Sequence, residues 1–310
     1  KIKKTISNLD RFLLKKFGSE KSIKFLENMK EANIIFSSLN EVGKEAQVKF
    51  VGGCVRKSLC GEKIEDIDLA TSITPDEVKK KLSDNNIRVI ETGISHGTVT
   101  AILNKKKFEI TTLRKDISTD GRHADVEFTT DWQQDALRRD FTINAIFADI
   151  DGRIFDPLNG VEDLKKGKVS FIGSADERIK EDYLRILRYF RFFLQYSKFE
   201  YDRSTVNSIK LNISGLNKIS KERIFQELIK ILSLGNLHDL FSNNMSKEII
   251  LNIFPQLKYF GRLKKISSLK PKSKDFDFVL ILALLIIDQS SDYEFFCHKY
   301  KTSNNIKNRL

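Results

Sequence analysis

The sequence predicts an α+β protein, with a mixed sheet and its helices first and an all-α remainder after it. Three observations carry that expectation. Residues 46–113 alternate between strand-like and helix-like patterns, and Thr98 to Leu103 and Phe108 to Leu113 read as a hairpin around Asn104-Lys105-Lys106-Lys107. Lys49-Phe50-Val51, then Gly52-Gly53, then Cys54 to Leu59 read as strand end, tight turn and short helix. Beyond Ala175 no strong strand signal recurs, and helical patterns fill 176–197, 202–212, 220–233, 237–243, 246–252 and 276–287.

Taken in order, residues 1–45 are expected to be helical, from the spacing of Leu13, Leu14 and Phe17 and of Ile23, Phe25, Leu26 and Met29. Ile64 to Leu69 reads as a strand. Thr74-Pro75-Asp76-Glu77 is a helix start, with Thr74 as N-cap, proline in the first turn and Glu77 closing a capping box. Residues 116–131 are polar and weakly patterned, and a flexible loop is expected there. Gln134 to Arg139 reads as helix, and 142–149 either continues it or leads into a strand. Asp149 to Phe155 reads as a hairpin turn, and Ser303 to Leu310 as a polar end that frays.

With 310 residues, 40% hydrophobic and 31% charged, the chain has ample material for a core and for about two domains. No run approaches the length of a membrane span, and the first residues lack a signal-peptide pattern. Cys54, Cys60 and Cys297 have no zinc-type spacing. They read as buried thiols in a reducing compartment, with the cytoplasm as the expected one. The net charge of +12 favours a polyanionic partner, nucleic acid first. Scattered lysine in a Lys/Asn/Ile-rich chain also follows from nucleotide bias. The arginines say more, because Arg56, Arg138, Arg139, Arg185, Arg188 and Arg191 fall in three short clusters.

Phe50 to Ser72 is the stretch richest in chemistry. Two glycines before a helix N-terminus let an anion approach free N–H groups, and Arg56 in the first turn can add charge-assisted bonds. On a strand, Asp66 and Asp68 share a face. Two adjacent carboxylates repel unless a cation sits between them, and hard oxygen ligands suit Mg²⁺ held jointly with phosphates. The stretch reads equally well as a glycine turn followed by a solvated acidic strand end. Glu109, amid apolar neighbours in the second hairpin strand, can supply a third carboxylate or simply face solvent. In Leu137 to Ala145, Arg138 and Arg139 can bind phosphate, and Asp140 and Asn144 can bond ribose hydroxyls. The segment is equally a solvated helix start. In Glu181 to Arg191, Leu184, Leu187, Phe190 and Leu194 form an apolar helical stripe, while Asp182, Arg185, Arg188 and Arg191 wind along another face. An Asp that accepts and an Arg that donates can read the edge of cytosine or adenine.

GGCVR…DIDLAT, RRDFTINA, EDYLRILRYFRF and ISKERIFQEL occur in this order between residues 47 and 235. Together they resemble the motifs of the class II tRNA nucleotidyltransferase and bacterial poly(A) polymerase family. The resemblance implies a polymerase-β-like head followed by a helical neck and body. It divides the chain into 1–45 packing on the head, a catalytic head at 46–172, a base-reading neck at 173–235 and a body at 236–310 with a short or truncated tail. It implies Mg²⁺ on Asp66 and Asp68, with Glu109 as the further acidic residue. Gly52, Gly53 and Arg56 would meet the triphosphate, and Arg138 or Arg139, with Asp140 and Asn144, would hold the nucleotide. Asp182 and Arg185 would template the base, supported by Arg188 and Arg191, with Glu222-Arg223 buttressing the helix. The implied activity is addition of CCA to a tRNA 3′ end from CTP and ATP. Poly(A) or partial CC- or A-addition is the sibling alternative, and a non-catalytic RNA-binding protein the alternative of another class. One departure stands out: Lys57 occupies a position where the family usually has Asp.

Overall fold

In a computed structural model the described residues are 29–41, 47–93, 97–119, 124–234, 237, 243–267 and 277–310. They divide into two compact units. One takes in residues up to 118 and 125–172; the other comprises 119–124 and 173–310.

The first unit starts with α1 (Lys30–Leu39), which buries Ala32, Ile35, Phe36 and Leu39. The Phe36 ring lies 4.7 Å from that of Phe50 on β1 (Val48–Val51). The rest of the 1–45 helical expectation lies outside the described residues. Gly52 follows β1 with φ +67°, a left-handed backbone that a side chain disfavours, and α2 (Gly53–Cys60) begins at once. Gly61, also left-handed, ends that helix. β2 (Ile67–Thr71) then runs antiparallel to β1. The expected strand began three residues earlier. Residues 62–66 remain coil because β1 stops at the Gly52 turn, and Lys63 and Glu65 pair with each other in solvent at 2.9 Å.

α3 (Pro75–Asp84) carries the full capping box: Glu77 N–H donates to Thr74 Oγ1 at 3.4 Å, and Thr74 N–H donates to the Glu77 carboxylate at 3.0 Å. β3 (Arg88–Gly93), β4 (Thr98–Leu103) and β5 (Lys106–Thr112) follow as a meander. The β4–β5 turn is tighter than expected. Asn104 and Lys105 alone make it, both with positive φ, so the strands resume at Lys106. β6 (Arg114–Thr119) and β7 (Ala124–Phe128) form a separate two-stranded sheet where a flexible loop was expected. Its apolar signal is weak: Ile117 and Phe128 face solvent, and Lys115 pairs with Glu127 at 3.1 Å.

α4 (Trp132–Leu137) is N-capped by Asp131, whose carboxylate accepts from Gln133 and Gln134 N–H. A single 3₁₀ turn, Thr142–Asn144, leads into β8 (Phe147–Ala148), then β9 (Ile154–Phe155) and α5 (Gly160–Lys166). The main sheet has the order β3-β4-β5-β2-β1-β8-β9. All neighbours are antiparallel except β2 and β5, which run parallel. Val51, Ala70, Leu113, Ala136, Ala145, Phe147 and Ile172 form a core cluster that ties α4 to the sheet.

The second unit is helical, with no strand among its described residues after 173. α6 (Ala175–Glu181) and α7 (Arg185–Tyr196) are two helices, not the single one expected. Asp182 is extended at the break (φ −150°), and its carboxylate accepts from Leu184 N–H at 3.1 Å. A short polar acceptor thus turns the chain into a new helix. The apolar stripe is as read: Leu184, Leu187, Phe190 and Leu194 are buried. α8 (Arg203–Asn212), α9 (Lys221–Leu232), α10 (Asn244–Ile253), α11 (Phe260–Ser267), α12 (Phe278–Ile286) and α13 (Asp292–Lys299) complete the set with α14 (Asn304–Arg309). α11 and α13 were not anticipated, and α14 replaces the expected fray. Ser303 caps α14, and Arg309 reaches Asp277 at 2.5 Å. The Lys-rich stretch at 268–274 and most of 237–243 lie outside the described residues.

Gly160 shows how tightly α5 seats. A Cβ there would lie 2.2 Å from the Thr142 carbonyl oxygen. Gly160→Ala is expected to destabilise the first unit by about 2 kcal/mol or more, read from the denaturation midpoint. An unchanged midpoint would show that α5 does not seat this closely.

Candidate active site

Parallel pairing of β2 with β5 sets Asp68 beside Glu109 in register, with Thr100 of β4 next across the sheet. Ile67 and Leu69 point to the buried face. Asp66 sits in the coil just before β2 and is exposed, as is Glu109, whereas Asp68 is half-buried. Burial pushes the Asp68 carboxyl up to about 6, and the charges of Glu109 and Asp66 push the same way. Arg139 and Arg56 oppose that shift. No three acidic, imidazole or thiol groups among the described residues converge to hold an ion by themselves. The expected third ligand is therefore a register neighbour, not part of a closed cage. Two hard carboxylates in a region of excess negative charge fit Mg²⁺ when phosphate oxygens complete the shell.

The Gly52–Gly53 turn forms a floor without side chains. A Cβ on Gly53 would sit 3.8 Å from Asp68 Oδ2 and 4.0 Å from Arg56 Nη2. One on Gly52 would sit 3.6 Å from Arg139 Nη1 and 3.5 Å from the Asn144 carbonyl oxygen. One carboxylate and two guanidiniums thus border the open backbone at the start of α2. That combination suits a phosphate beside a metal ligand. The thiol of Cys54, beneath this floor, is pushed up to about 12 by burial and by Asp68, so it is no nucleophile.

Arg56 is buried and donates through Nη1 to Asn144 Oδ1. Asn144 Nδ2 donates in turn to Asp140 Oδ1 at 2.9 Å, which also accepts from Phe141 N–H at 2.9 Å. Asp140 and Asn144, expected at ribose hydroxyls, are buried members of this relay. Asp135 holds the arginine pair. It is 1% exposed and accepts from Arg138 Nε and Nη2 at 2.8 and 2.6 Å and from Arg139 Nε and Nη2 at 3.1 and 2.8 Å. Burial raises its carboxyl, but Arg139 and Arg138 more than offset that, leaving it below the usual range. Sequence reading missed Asp135. Its spacing of three and four residues before the two arginines was the available signal. Nothing in the structure explains Lys57, which is half-buried on α2.

In the second unit Asp182 and Arg185 are held apart by different partners. Arg223 Nη2 donates to Asp182 Oδ2 at 2.8 Å, the buttress expected of that arginine. Glu222 instead pairs with Lys301 at 2.7 Å. Arg185 Nη1 donates to Glu181 at 2.5 Å and to the Arg178 carbonyl at 3.0 Å. Arg191 bonds the buried Glu227 and stacks on Phe192, 4.1 Å from the ring centre. Arg188 lies over the same ring at 5.4 Å. Glu181 and Glu227 were not singled out in the sequence, because a lone acid on a helix carries no distinguishing pattern.

A head of this kind, with carboxylates on a mixed sheet beside a glycine turn, defines a nucleotidyltransferase class. Residues 48–170 match the family described as "Poly A polymerase head domain", and residues 198–260 match "Probable RNA and SrmB-binding site of polymerase A". The chain is 37% identical over 290 residues to a CCA-adding enzyme of Lactococcus lactis subsp. cremoris, covering 91% of this chain and 69% of that one. It is 44% identical over 270 residues to the human protein named CCA tRNA nucleotidyltransferase 1, mitochondrial, covering 84% and 61%. Among solved structures it is similar to the Bacillus stearothermophilus CCA-adding enzyme in complex with CTP, at 30% identity and TM-score 0.61, covering 88% of this chain and 63% of that one. It shares its fold with the Thermotoga maritima CCA-adding enzyme complexed with tRNA, at TM-score 0.69 and 22% identity, covering 93% and 71%. The chain belongs to the class II tRNA nucleotidyltransferase and bacterial poly(A) polymerase family. It spans 61% of the length of the human relative. No described helix is long and apolar enough to cross a membrane.

The raised Asp68 carboxyl has a thermodynamic sign. A folded-state value above the unfolded one favours the protonated native form, so stability falls as pH rises from about 4 to about 6. In chelator-treated buffer Asp68→Asn is expected to be more stable than the parent at pH 7, by roughly 1–3 kcal/mol. The difference should vanish near pH 4. Equal stability of the two at pH 7 would contradict the raised value.

Proposed function

We propose that this chain is a CCA-adding tRNA nucleotidyltransferase, transferring CMP and AMP from CTP and ATP to a tRNA 3′ end with release of pyrophosphate. The observation that carries the reading is the bare Gly52–Gly53 floor bordered by Asp68, Arg56 and Arg139. In that reading residues 46–172 are the catalytic head, 173–235 the base-reading neck and 236–310 the body, with 1–45 against the head. Gly52, Gly53 and Arg56, with Arg138 or Arg139, hold the triphosphate, and Asp140 and Asn144 act by fixing Arg56. Asp66 and Asp68 would hold Mg²⁺, with Glu109 adding negative charge beside them. When bound, Mg²⁺ neutralises phosphate charge and lowers the pKa of an attacking hydroxyl. The chain's own residues orient the α-phosphorus for in-line attack by the tRNA 3′ oxygen. The new oxygen–phosphorus bond forms as the bond to the β-phosphate bridge breaks.

Asp182 and Arg185 are the proposed base template. Arg223 and Glu181 fix them separately, so one acceptor and one donor stay apart to meet cytosine or adenine. Arg188 and Arg191 support them from α7. The cytoplasm is the proposed compartment. The three cysteines are buried thiols, which suits reducing surroundings, and the relative named as mitochondrial makes the mitochondrion the competing location.

The test is incorporation on tRNA lacking its CCA end, with Mg²⁺ and each nucleoside triphosphate alone and together, resolved on a sequencing gel. Two additions with CTP and a third with ATP are expected, and Asp68→Ala should slow incorporation by about a thousandfold or more. A long A-tract would assign poly(A) polymerase. Addition of only CC or only A would assign a partial enzyme. RNA binding without turnover would make the chain a non-catalytic binder.

A further inference from the structure

The arginine pair after α4 raises a question that the family's motifs leave open: which guanidinium meets the phosphates, and what aims it. Both use their Nε–Nη2 edge on one acceptor, Asp135. The two oxygens divide the work. Oδ1 takes Arg138 and also the Arg114 N–H at 3.3 Å, while Oδ2 takes Arg139 alone. The far edge of Arg139 then points toward the glycine turn, with Nη1 3.6 Å from where a Gly52 Cβ would stand. Cζ of Arg139 lies over the Phe147 ring, 5.2 Å from its centre. Arg139 also acts electrostatically on Asp68. Nη1 of Arg139 donates no hydrogen bond among the described residues. A rigid fork with one edge anchored keeps its other edge pre-organised for an anion.

We propose that Asp135 is a positioning residue for nucleotide binding, and that Arg139, not Arg138, is the guanidinium it presents to the triphosphate. This rests on reading the Gly52–Gly53 turn as a triphosphate site. Arg138 serves as the counter-charge that keeps the carboxylate ionised while Arg139 is turned outward. Asp135 itself never meets the ligand, since it is buried behind both arginines. Its replacement by Asn would present an amide N–H₂ to one guanidinium and release it. The loss would therefore appear in nucleotide affinity and pass through Arg139.

The experiment is a double-mutant cycle read by calorimetric titration of CTP with no tRNA present, alongside KM and kcat and an unfolding curve for each variant. Asp135→Asn is expected to weaken CTP binding about tenfold or more. In an Arg139→Ala background the same change should cost less than about twofold. KM should rise with little change in kcat. Equal losses in both backgrounds would reduce Asp135 to a structural part of α4 and overturn the proposal, as would unchanged affinity in the single variant. If Asp135→Asn does not fold, Asp135→Glu carries the same cycle: it keeps the charge but shifts it, so binding weakens and the coupling to Arg139 persists. A parent chain that binds no CTP would count against the triphosphate reading beneath the proposal, a result distinct from a parent that binds and a variant that binds equally well.

Discussion

Parallel pairing of β2 with β5 is the contact on which the head depends. Among the sheet's described pairs it alone is parallel, and it joins strands separated by α3, β3 and β4. A parallel pair needs such a crossover, because no short turn can bring the second strand back in the same direction. The register then sets Asp68 beside Glu109, where a Cβ added to Gly53 would lie 3.8 Å from the Asp68 carboxylate. Burial of Asp68, with Glu109 and Asp66 beside it, raises its carboxyl and costs stability. The cost is consistent with a site whose charge is completed by a cation and phosphates and not by the protein alone.

The positive charge in the molecule is organised differently. Several arginines singled out in the sequence are anchored on an acid: Arg138 and Arg139 on Asp135, Arg185 on Glu181 and Arg191 on Glu227. Asp135 and Glu227 are almost fully buried. Such pairs are poor sources of net stability, because desolvation offsets attraction. Their effect is geometric. A guanidinium held along one edge has a fixed direction, and five donors in a planar fork leave others to use.

The legible parts of this fold were those governed by local backbone chemistry. Gly52 sits where φ is positive, Thr74 and Glu77 close their box, and the apolar stripe of α7 is buried as its spacing demands. The parts that escaped depend on partners distant in sequence or on polarity without contrast. The β6–β7 ribbon pairs only with itself, and its Ile117 and Phe128 are exposed. The break at Asp182 looks helical in sequence, because Leu184 and Leu187 keep the period while the Asp182 carboxylate accepts the Leu184 N–H just before the new helix. Asp66, Asp68 and Glu109 stood out as residues, but their arrangement did not. Asp66 precedes the strand, and Glu109 stands beside Asp68 without closing a cage. Asp140 and Asn144 were legible as a polar cluster, but their burial behind Arg56 was not.

The central claim is that the floor beside Asp68 binds a triphosphate together with a divalent cation. Its most direct measurement is CTP affinity with and without Mg²⁺ in the parent chain and in Asp68→Asn. Mg²⁺ should tighten CTP binding by the parent about tenfold or more and leave the variant nearly unmoved. Equal Mg²⁺ dependence in the two proteins would place the metal, or the nucleotide, somewhere other than this floor.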